Sequence, residues 1–139
     1  MKCLDSEDAL ELIMVAKVES LRIGVPMSLA VVDAAGHPLL AERMVGAGWL
    51  TADIAYSKAF TAAAWRIATV ELQSRLSNAP YLVNALSVQT RGSFMPQGGG
   101  IPVVREGQIV GALGASGGSA AQDHGVAQVG VEAFIANSE

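Results

Sequence analysis

The sequence predicts a single α+β domain in which helices pack on an antiparallel sheet. Two pairs of apolar segments, each joined by a short turn, have the composition of hairpin strands. The segments around and between them place apolar residues at helical spacing. A chain of 139 residues without a linker, repeat or low-complexity segment fits one domain, spanning residues 1–139.

The N-terminal part of the chain is predicted to be a helix followed by a hairpin. Asp5 and Asp8 form the pattern of a capping pair, and helical spacing then runs to about Ile23 and stops at a glycine. Residues 27–33 are apolar and rich in β-branched side chains, as expected of a strand. Residues 39–44 return after a turn as the second arm of the hairpin.

The middle of the chain is predicted to be helical. An alanine-rich helix runs from Thr51 to about Ile67, and further helix extends to Leu76. Its alanines indicate a close approach of the helix backbone to a neighbouring element. Pro80 then opens an irregular helical segment that ends near Thr90.

The C-terminal part is predicted to contain two or three strands and a last helix. Residues 101–105 and 108–115 form a second hairpin around the dipeptide Glu-Gly. Ser119 and Gln122 form a capping box for the helix that follows. The residues of that helix expected to face inward are Val126, Val129, Gly130 and Ala133.

The composition limits the partners of the protein. Hydrophobic residues make up 51% of the chain and charged residues 16%, against about 25% charged in an average domain. This excess of apolar surface predicts a homo-oligomer. The net charge of −4 and the pI near 5.1 argue against nucleic acid binding. A single cysteine, an acidic N-terminus and the lack of any long apolar run predict a cytoplasmic protein without disulfides or membrane contact.

A glycine-rich loop carries the strongest binding signal. Gly98, Gly99 and Gly100 are bounded by two prolines, a composition that disfavours a helix or a central strand. Such a loop can present its backbone N–H groups to an anion. A second glycine pair at residues 117–118 precedes a helix whose N-terminal amides also favour negative charge. The sequence therefore predicts a pocket for a small anionic ligand.

Two cations are predicted to bind that ligand. Lys58 lies on a helical stripe that otherwise indicates burial, so its ammonium needs an anionic partner. A bound carboxylate would serve; the alternatives are a pair with Asp33 or Glu42, or a side chain that extends to the rim. Arg43 ends the second strand beside a glycine turn, and it suits either bidentate carboxylate binding or a pair with an acid of the fold.

The two histidines are candidates for iron ligation or acid–base chemistry. His37 lies at the tip of the first hairpin and His124 in the first turn of the last helix. Their spacing gives no zinc signature, and an exposed histidine without a task is the alternative for each. His37 is the candidate metal ligand, and His124 is a candidate catalytic group together with Lys58, Glu42 and Asp123.

Ser116 lies within a Gly-Ala-Ser-Gly-Gly segment that matches the nucleophile elbow of serine hydrolases. Those enzymes need a larger parallel sheet, whereas here Asp123 and His124 are adjacent on one helix and cannot complete the triad. We therefore expect Ser116 to donate to a ligand or to cap the helix. The glycines lack the lysine of a P-loop and the spacing of a dinucleotide-binding fold, which argues against nucleotide binding.

Taken together, the motifs resemble those of the GlcG/HbpS family of small haem-binding or haem-degrading domains, which also form the C-terminal part of some corrinoid adenosyltransferases. The matching motifs are Ala30-Val-Val-Asp33, Gly36-His-Pro38, Arg43-Met44, Gly46-Ala47, Lys58-Ala-Phe-Thr-Ala62, Met95-Pro-Gln-Gly-Gly-Gly-Ile-Pro-Val103, Val110-Gly-Ala-Leu-Gly-Ala-Ser-Gly-Gly118 and Gln122-Asp123. The resemblance implies an antiparallel sheet of about five strands flanked by helices, assembled into dimers or larger homo-oligomers. It also implies haem binding in some members, sometimes with slow oxidative degradation of the porphyrin.

Two positions depart from the family's pattern. Val45 stands where an acidic residue usually follows Met44, and His124 stands where an acidic residue usually follows Asp123. A site that loses an acid and gains a potential cation is expected to hold a more anionic ligand.

The first function that fits these residues is haem binding. Lys58, Arg43 and the glycine loop would hold the propionates, and His37 or His124 would approach the iron. Haem is then the cofactor or ligand.

The second function is an enzyme of small-molecule catabolism that acts on an oxo- or dicarboxylic acid as a hydrolase, isomerase or decarboxylase. The same two cations would hold carboxylates, the glycine amides would stabilise an oxyanion, and Glu42, Asp123 or His124 would transfer protons. A non-catalytic sensor of small acids or an assembly module is a third alternative, favoured if Lys58 faces solvent.

Overall fold

The computed structural model describes residues 3–138, which form five helices and four strands. In chain order the elements are α1 (Ser6–Ile23), β1 (Ser28–Asp33), β2 (Pro38–Arg43), α2 (Thr51–Trp65), α3 (Thr69–Arg75), α4 (Pro80–Gln89), β3 (Gly100–Arg105), β4 (Gln108–Ser116) and α5 (Ala120–Ser138). The predicted α+β class is confirmed. None of the helices in residues 3–138 combines the length and the apolarity that crossing a membrane requires.

The sheet has the strand order β2-β1-β4-β3, and every neighbouring pair is antiparallel. Four strands are formed, so the expectation of about five is wrong. The chain between α4 and β3 holds Pro96 and the glycine loop and stays irregular up to Gly99, so only two strands follow α4.

Helices cover both faces of the sheet. Leu29 and Val31 of β1 point to the face covered by α1 and α5, where they join the main core with Phe134. Val32 points to the opposite face and packs against the alanines of α2. The alternation along β1 therefore builds three layers, with α1 and α5 on one side and α2 on the other.

The predicted start and end of α1 and the predicted start of α5 are confirmed. Asp5 and Asp8 form a reciprocal capping box at the start of α1, and Gly24 ends that helix in the left-handed conformation with a φ of 71°. The side chains of Ser119 and Gln122 each accept from the other's backbone N–H at the start of α5.

Two details of the helix predictions are wrong. The helix expected to reach Ile67 ends at Trp65, because Arg66 turns left-handed with a φ of 63°, and α3 starts separately at Thr69. Val129, expected to face inward on α5, is 41% exposed. The buried face of α5 consists of Asp123, Val126, Ala127, Gly130, Val131 and Phe134.

The close approach predicted for α2 is confirmed. A Cβ atom added to Gly114 of β4 would collide with the carbonyl oxygen of Ala55, and one added to Gly100 of β3 would collide with that of Lys58. Glycines on the sheet and alanines on the helix therefore allow the two backbones nearly to touch. This contact places Lys58 directly over the ends of β3 and β4.

Candidate functional site

Lys58 and Asp123 form a buried ion pair that joins α2 to α5. The Nζ of Lys58 lies 2.7 Å from Oδ2 of Asp123 and also donates to the carbonyl oxygen of Ala115 at 3.2 Å. Oδ1 of Asp123 accepts from the backbone N–H of Gly118 at 2.8 Å. The two residues are only 2% and 3% exposed. The anionic partner that Lys58 requires is therefore supplied by the chain itself.

The alternatives predicted for Lys58, a pair with Asp33 or Glu42 or a side chain at the rim, are wrong. Glu42 lies on the other face of the sheet, where its carboxylate is 2.6 Å from Nζ of Lys17 on α1. Asp33 accepts from the backbone N–H groups of the β1–β2 turn, including that of His37 at 2.9 Å. The side chain of Lys58 is buried rather than extended to the rim. The carboxylate of Glu42 is therefore paired with Lys17 and not with Lys58.

The glycine loop does not form the predicted free anion nest. The N–H of Gly98 donates to Oε1 of Gln73 at 3.1 Å, and the N–H of Gly100 donates to Oγ1 of Thr69 at 2.8 Å. Gly99 has a φ of +136°, and a Cβ atom there would lie 2.8 Å from Cδ of Lys58. Gly99 and Gly100 let the loop pack on Lys58, and α3 side chains already bind the amides of Gly98 and Gly100.

Ser116 and Arg43 lie in one row across the sheet, with Ser28 of β1 between them. Ser116 is buried, whereas Arg43 is exposed and donates from Nη1 to the carbonyl oxygen of Ala47 at 3.1 Å. The guanidinium thus lies at the surface while the ammonium of Lys58 is enclosed. Within one subunit the two predicted cations do not converge on a shared enclosed pocket.

The two histidines occupy different environments. His37 is exposed in the β1–β2 turn. His124 is half-buried on α5, and its Cβ lies 3.5 Å from where a Cβ on Gly98 would stand. Its Nδ1 atom is buried and has no hydrogen-bond partner among the described residues. Residues 3–138 contain no cluster of three or more His, Cys, Asp or Glu side chains able to hold a metal ion.

A cleft that the sequence did not predict lies between α3, α4 and residues 94–97. Its volume is about 420 Å³, within the range of small-molecule pockets. Its lining residues are Gln73, Leu76, Val83, Asn84, Ser87, Phe94, Met95, Pro96 and Gln97. None of these described side chains carries a charge, so the cleft is apolar with amide groups at intervals. The sequence feature that could have indicated this cleft is the lack of charged residues in α4.

The cleft and the glycine loop are connected. Gln73 lines the cleft and also accepts from the N–H of Gly98, the residue on which His124 packs. The thioether of Met95 and the imidazole of His124 are therefore on elements that meet at the same loop. Thioether and imidazole groups are both used as axial ligands of haem iron in proteins.

Comparison with known proteins agrees with this architecture. A family described as "Haem degrading protein HbpS-like" matches residues 4–132. Protein GlcG of Escherichia coli K12 is 34% identical over 113 residues, 81% of each chain. The corrinoid adenosyltransferase PduO of Citrobacter freundii is 33% identical over 131 residues, 94% of this chain but 39% of PduO, so the chain spans about two fifths of that relative.

A solved structure extends the likeness to three dimensions. The crystal structure of the PduOC:heme complex superposes with a TM-score of 0.85 at 33% identity, covering 95% of both chains. The resemblance expected from the sequence motifs is confirmed. The chain belongs to the HbpS-like family of haem-degrading proteins.

Proposed function

We propose that the protein binds haem and that the porphyrin lies in the cleft between α3, α4 and residues 94–97. The observation that carries the identity of the ligand is the close structural likeness to the PduOC:heme complex. The cleft supports the location, because its volume and its uncharged lining suit a large apolar ring.

The residues around the cleft fit haem in shape and in donor chemistry. Leu76, Val83 and Phe94 supply apolar walls for the ring, and Met95 supplies a thioether. His124 lies outside this lining and packs on Gly98, and its Nδ1 is buried without a partner in the described part of the chain. When bound, haem would supply a redox-active iron and a strong visible chromophore.

The propionates are expected to leave the cleft at its polar rim. The lining contains no cation, so each carboxylate would be hydrated or held by the amide groups of Gln73, Asn84 and Gln97. Lys58 is not expected to bind the propionates, because its ammonium is already paired with Asp123. His37 and Arg43, at opposite ends of β2, define an alternative surface for the ring.

The proposal covers binding rather than breakdown of the ring. None of the described lining side chains titrates near neutral pH, so the cleft walls offer no acid or base. The small-acid enzyme has less support than haem binding. Two of its proton carriers are engaged, Glu42 with Lys17 and Asp123 with Lys58, and the amides of Gly98 and Gly100 are already bonded.

Titration with haemin, followed by the Soret band, tests both ligand and location. The wild-type protein should shift the Soret band and saturate at one haem per chain. Val83→Glu places a carboxylate in the cleft and should weaken binding at least tenfold. Val88→Glu, an exposed site on the same helix, is the matched control and should bind as the wild type does. Met95→Leu should alter the spectrum of the bound haem.

Two results would overturn the proposal in different ways. If the wild-type protein produces no Soret shift, haem binding itself is refuted. If Val83→Glu binds normally while His37→Ala or Arg43→Ala loses affinity, haem binds on the β2 surface and the cleft assignment is wrong.

A further inference from the structure

Among the described residues that line the cleft, Met95 carries the soft donor atom, a thioether sulfur. The other polar side chains of this lining are neutral oxygen and nitrogen groups: Gln73, Asn84, Ser87 and Gln97. Amide and hydroxyl oxygens are hard donors, whereas a thioether is soft and polarizable. Soft donors favour the lower oxidation state of a metal, and a methionine axial ligand raises the reduction potential of haem iron.

The backbone that carries this thioether is held by hydrogen bonds. The N–H of Met95 donates to Oγ1 of Thr61 at 2.8 Å, and its carbonyl oxygen accepts from the N–H of Gln97 at 2.9 Å. Thr61 itself is fully buried on α2. The N–H of Phe94 donates to Oγ1 of Thr90, also at 2.9 Å. A substitution that changes only the side chain of Met95 therefore tests the sulfur without removing the bonds that hold the loop.

The charges around the cleft disfavour a further positive charge inside it. Residues 59–104, which include every described residue of the lining, contain one acid and three arginines: Glu71, Arg66, Arg75 and Arg91. This stretch is therefore net positive, although the whole chain has a net charge of −4. Glu71 lies 3.8 Å from Arg75, so even this acid has a cationic neighbour. None of the described lining side chains is a carboxylate.

The two oxidation states of haem differ in the charge that such a cleft must accommodate. The porphyrin nitrogens carry two negative charges, so the centre of the ring is neutral with Fe(II) and singly positive with Fe(III). Transfer of a charged centre from water to an uncharged lining costs free energy that a neutral centre does not pay. Like charges in the surroundings add to this cost.

We infer that the cleft prefers ferrous to ferric haem and that Met95 is the residue that sets this preference. The inference rests on the proposed function and adds to it the oxidation state of the ligand. The thioether stabilises Fe(II), and the uncharged lining in a net positive stretch disfavours the ferric centre. Both effects act in the same direction, so haem held in the cleft has a raised reduction potential.

Anaerobic titration of the purified full chain with haem in each oxidation state, followed by the Soret band, tests the inference. Both forms should bind, and ferrous haem, prepared with dithionite, should bind at least tenfold more tightly than ferric haem. Spectroelectrochemistry then measures the reduction potential of the bound haem.

Met95→Leu removes the sulfur and nearly conserves the side-chain volume, so thermal unfolding should be close to that of the wild type. The ferrous preference should fall at least tenfold in this variant. A tenfold change in a one-electron equilibrium corresponds to about 59 mV, so the potential of the bound haem should fall by at least that amount. The matched control is Met14→Leu, which removes a thioether that is 58% exposed on α1 and should leave affinity and potential unchanged.

A second pair of variants tests the contribution of charge. Ser87→Asp and Ser87→Asn place side chains of nearly equal shape in the lining, and only the first carries a negative charge. The potential of the bound haem should be lower in Ser87→Asp than in Ser87→Asn, because the carboxylate stabilises the ferric centre.

The possible outcomes separate this inference from the proposed function. If neither oxidation state shifts the Soret band, haem binding is refuted and the inference falls with it. Equal affinities for the two states, or tighter binding of ferric haem, would overturn the inference and leave haem binding intact. An unchanged potential in Met95→Leu would show that Met95 does not set the preference.

Discussion

Breaking the buried ion pair between Lys58 and Asp123 should destabilise the fold far more than breaking a surface pair. Lys58→Met removes the ammonium and leaves Oδ2 of Asp123 enclosed without its cation. Asp123→Asn removes the negative charge, so the buried ammonium keeps only neutral acceptors such as the carbonyl oxygen of Ala115. Both residues are almost fully buried, so water cannot replace the lost partner.

The size of the effect follows from this burial. Removing one member of a buried ion pair costs about 3–5 kcal/mol of unfolding free energy, since the other charge stays desolvated. A chain of 139 residues has an unfolding entropy near 0.3 kcal/mol/K at its midpoint. The expected fall in Tm is therefore about 10–17 °C for either single variant.

Urea and thermal unfolding test this prediction on the wild type, the two single variants, the double variant and one control variant. The double variant Lys58→Met/Asp123→Asn removes both charges, and we expect it to be less destabilised than the sum of the two single variants by at least about 1 kcal/mol. Lys17→Met is the matched control, because its pair with Glu42 has side chains that are 41% and 39% exposed. The control should lose only about 0–1 kcal/mol.

Two outcomes would refute the reasoning. One is a loss in the single variants no greater than that of Lys17→Met. The other is a double variant that loses the full sum, which would mean that the two side chains are not coupled. If Lys58→Met were stable but defective in haem binding, the lysine would be a ligand-binding residue, as its sequence pattern suggested.

Two further predictions concern the glycine loop. Gly99→Ala should cost about 2–4 kcal/mol in urea unfolding, because its φ is +136° and the added Cβ would collide with the backbone carbonyl oxygen of Ala115 and press on Cδ of Lys58. Gly24→Ala, with open space around it, should cost only about 1–2 kcal/mol, and equal losses would contradict the packing argument. Thr69→Val leaves the buried N–H of Gly100 without its acceptor, so it should cost about 1–3 kcal/mol of unfolding free energy. Hydrogen exchange at the Gly100 amide should become faster, and unchanged exchange would contradict the assigned bond.

The parts of the fold that could be predicted from the sequence are those encoded by near neighbours in the chain. The capping boxes of α1 and α5 each depend on two side chains three residues apart, and both are formed as expected. The end of α1 at Gly24 likewise needs only one residue that tolerates a positive φ. The number of strands was less predictable, because the segment before β3 could have paired or stayed irregular.

The candidate site was harder to predict because its contacts are distant in the chain. The stripe around Lys58 correctly indicated a buried ammonium that needs an anion. Its partner lies 65 residues further along, and only the packing of α2 and α5 on the two faces of the sheet brings them together. The glycine loop was correctly expected to be irregular, but whether its amides are free depends on Gln73 and Thr69 of α3.

The cleft was missed for a related reason. Its walls come from two helices and an irregular segment, none of which has a binding motif of its own. The indication that was present in the sequence is the lack of charge in α4, a helix none of whose residues is buried in the subunit. An uncharged helix with no buried face signals a surface that is completed by a ligand or by another chain.

The location of bound haem tests the account most directly, and paramagnetic NMR measures it. Amide signals of the isotope-labelled protein are compared with ferric haemin and with a diamagnetic metalloporphyrin of the same shape. We expect the iron to broaden the signals of Val83, Met95 and Gln97 selectively, while those of His37 and Arg43 persist. Broadening centred on His37 or Arg43 with the cleft signals intact would contradict the account.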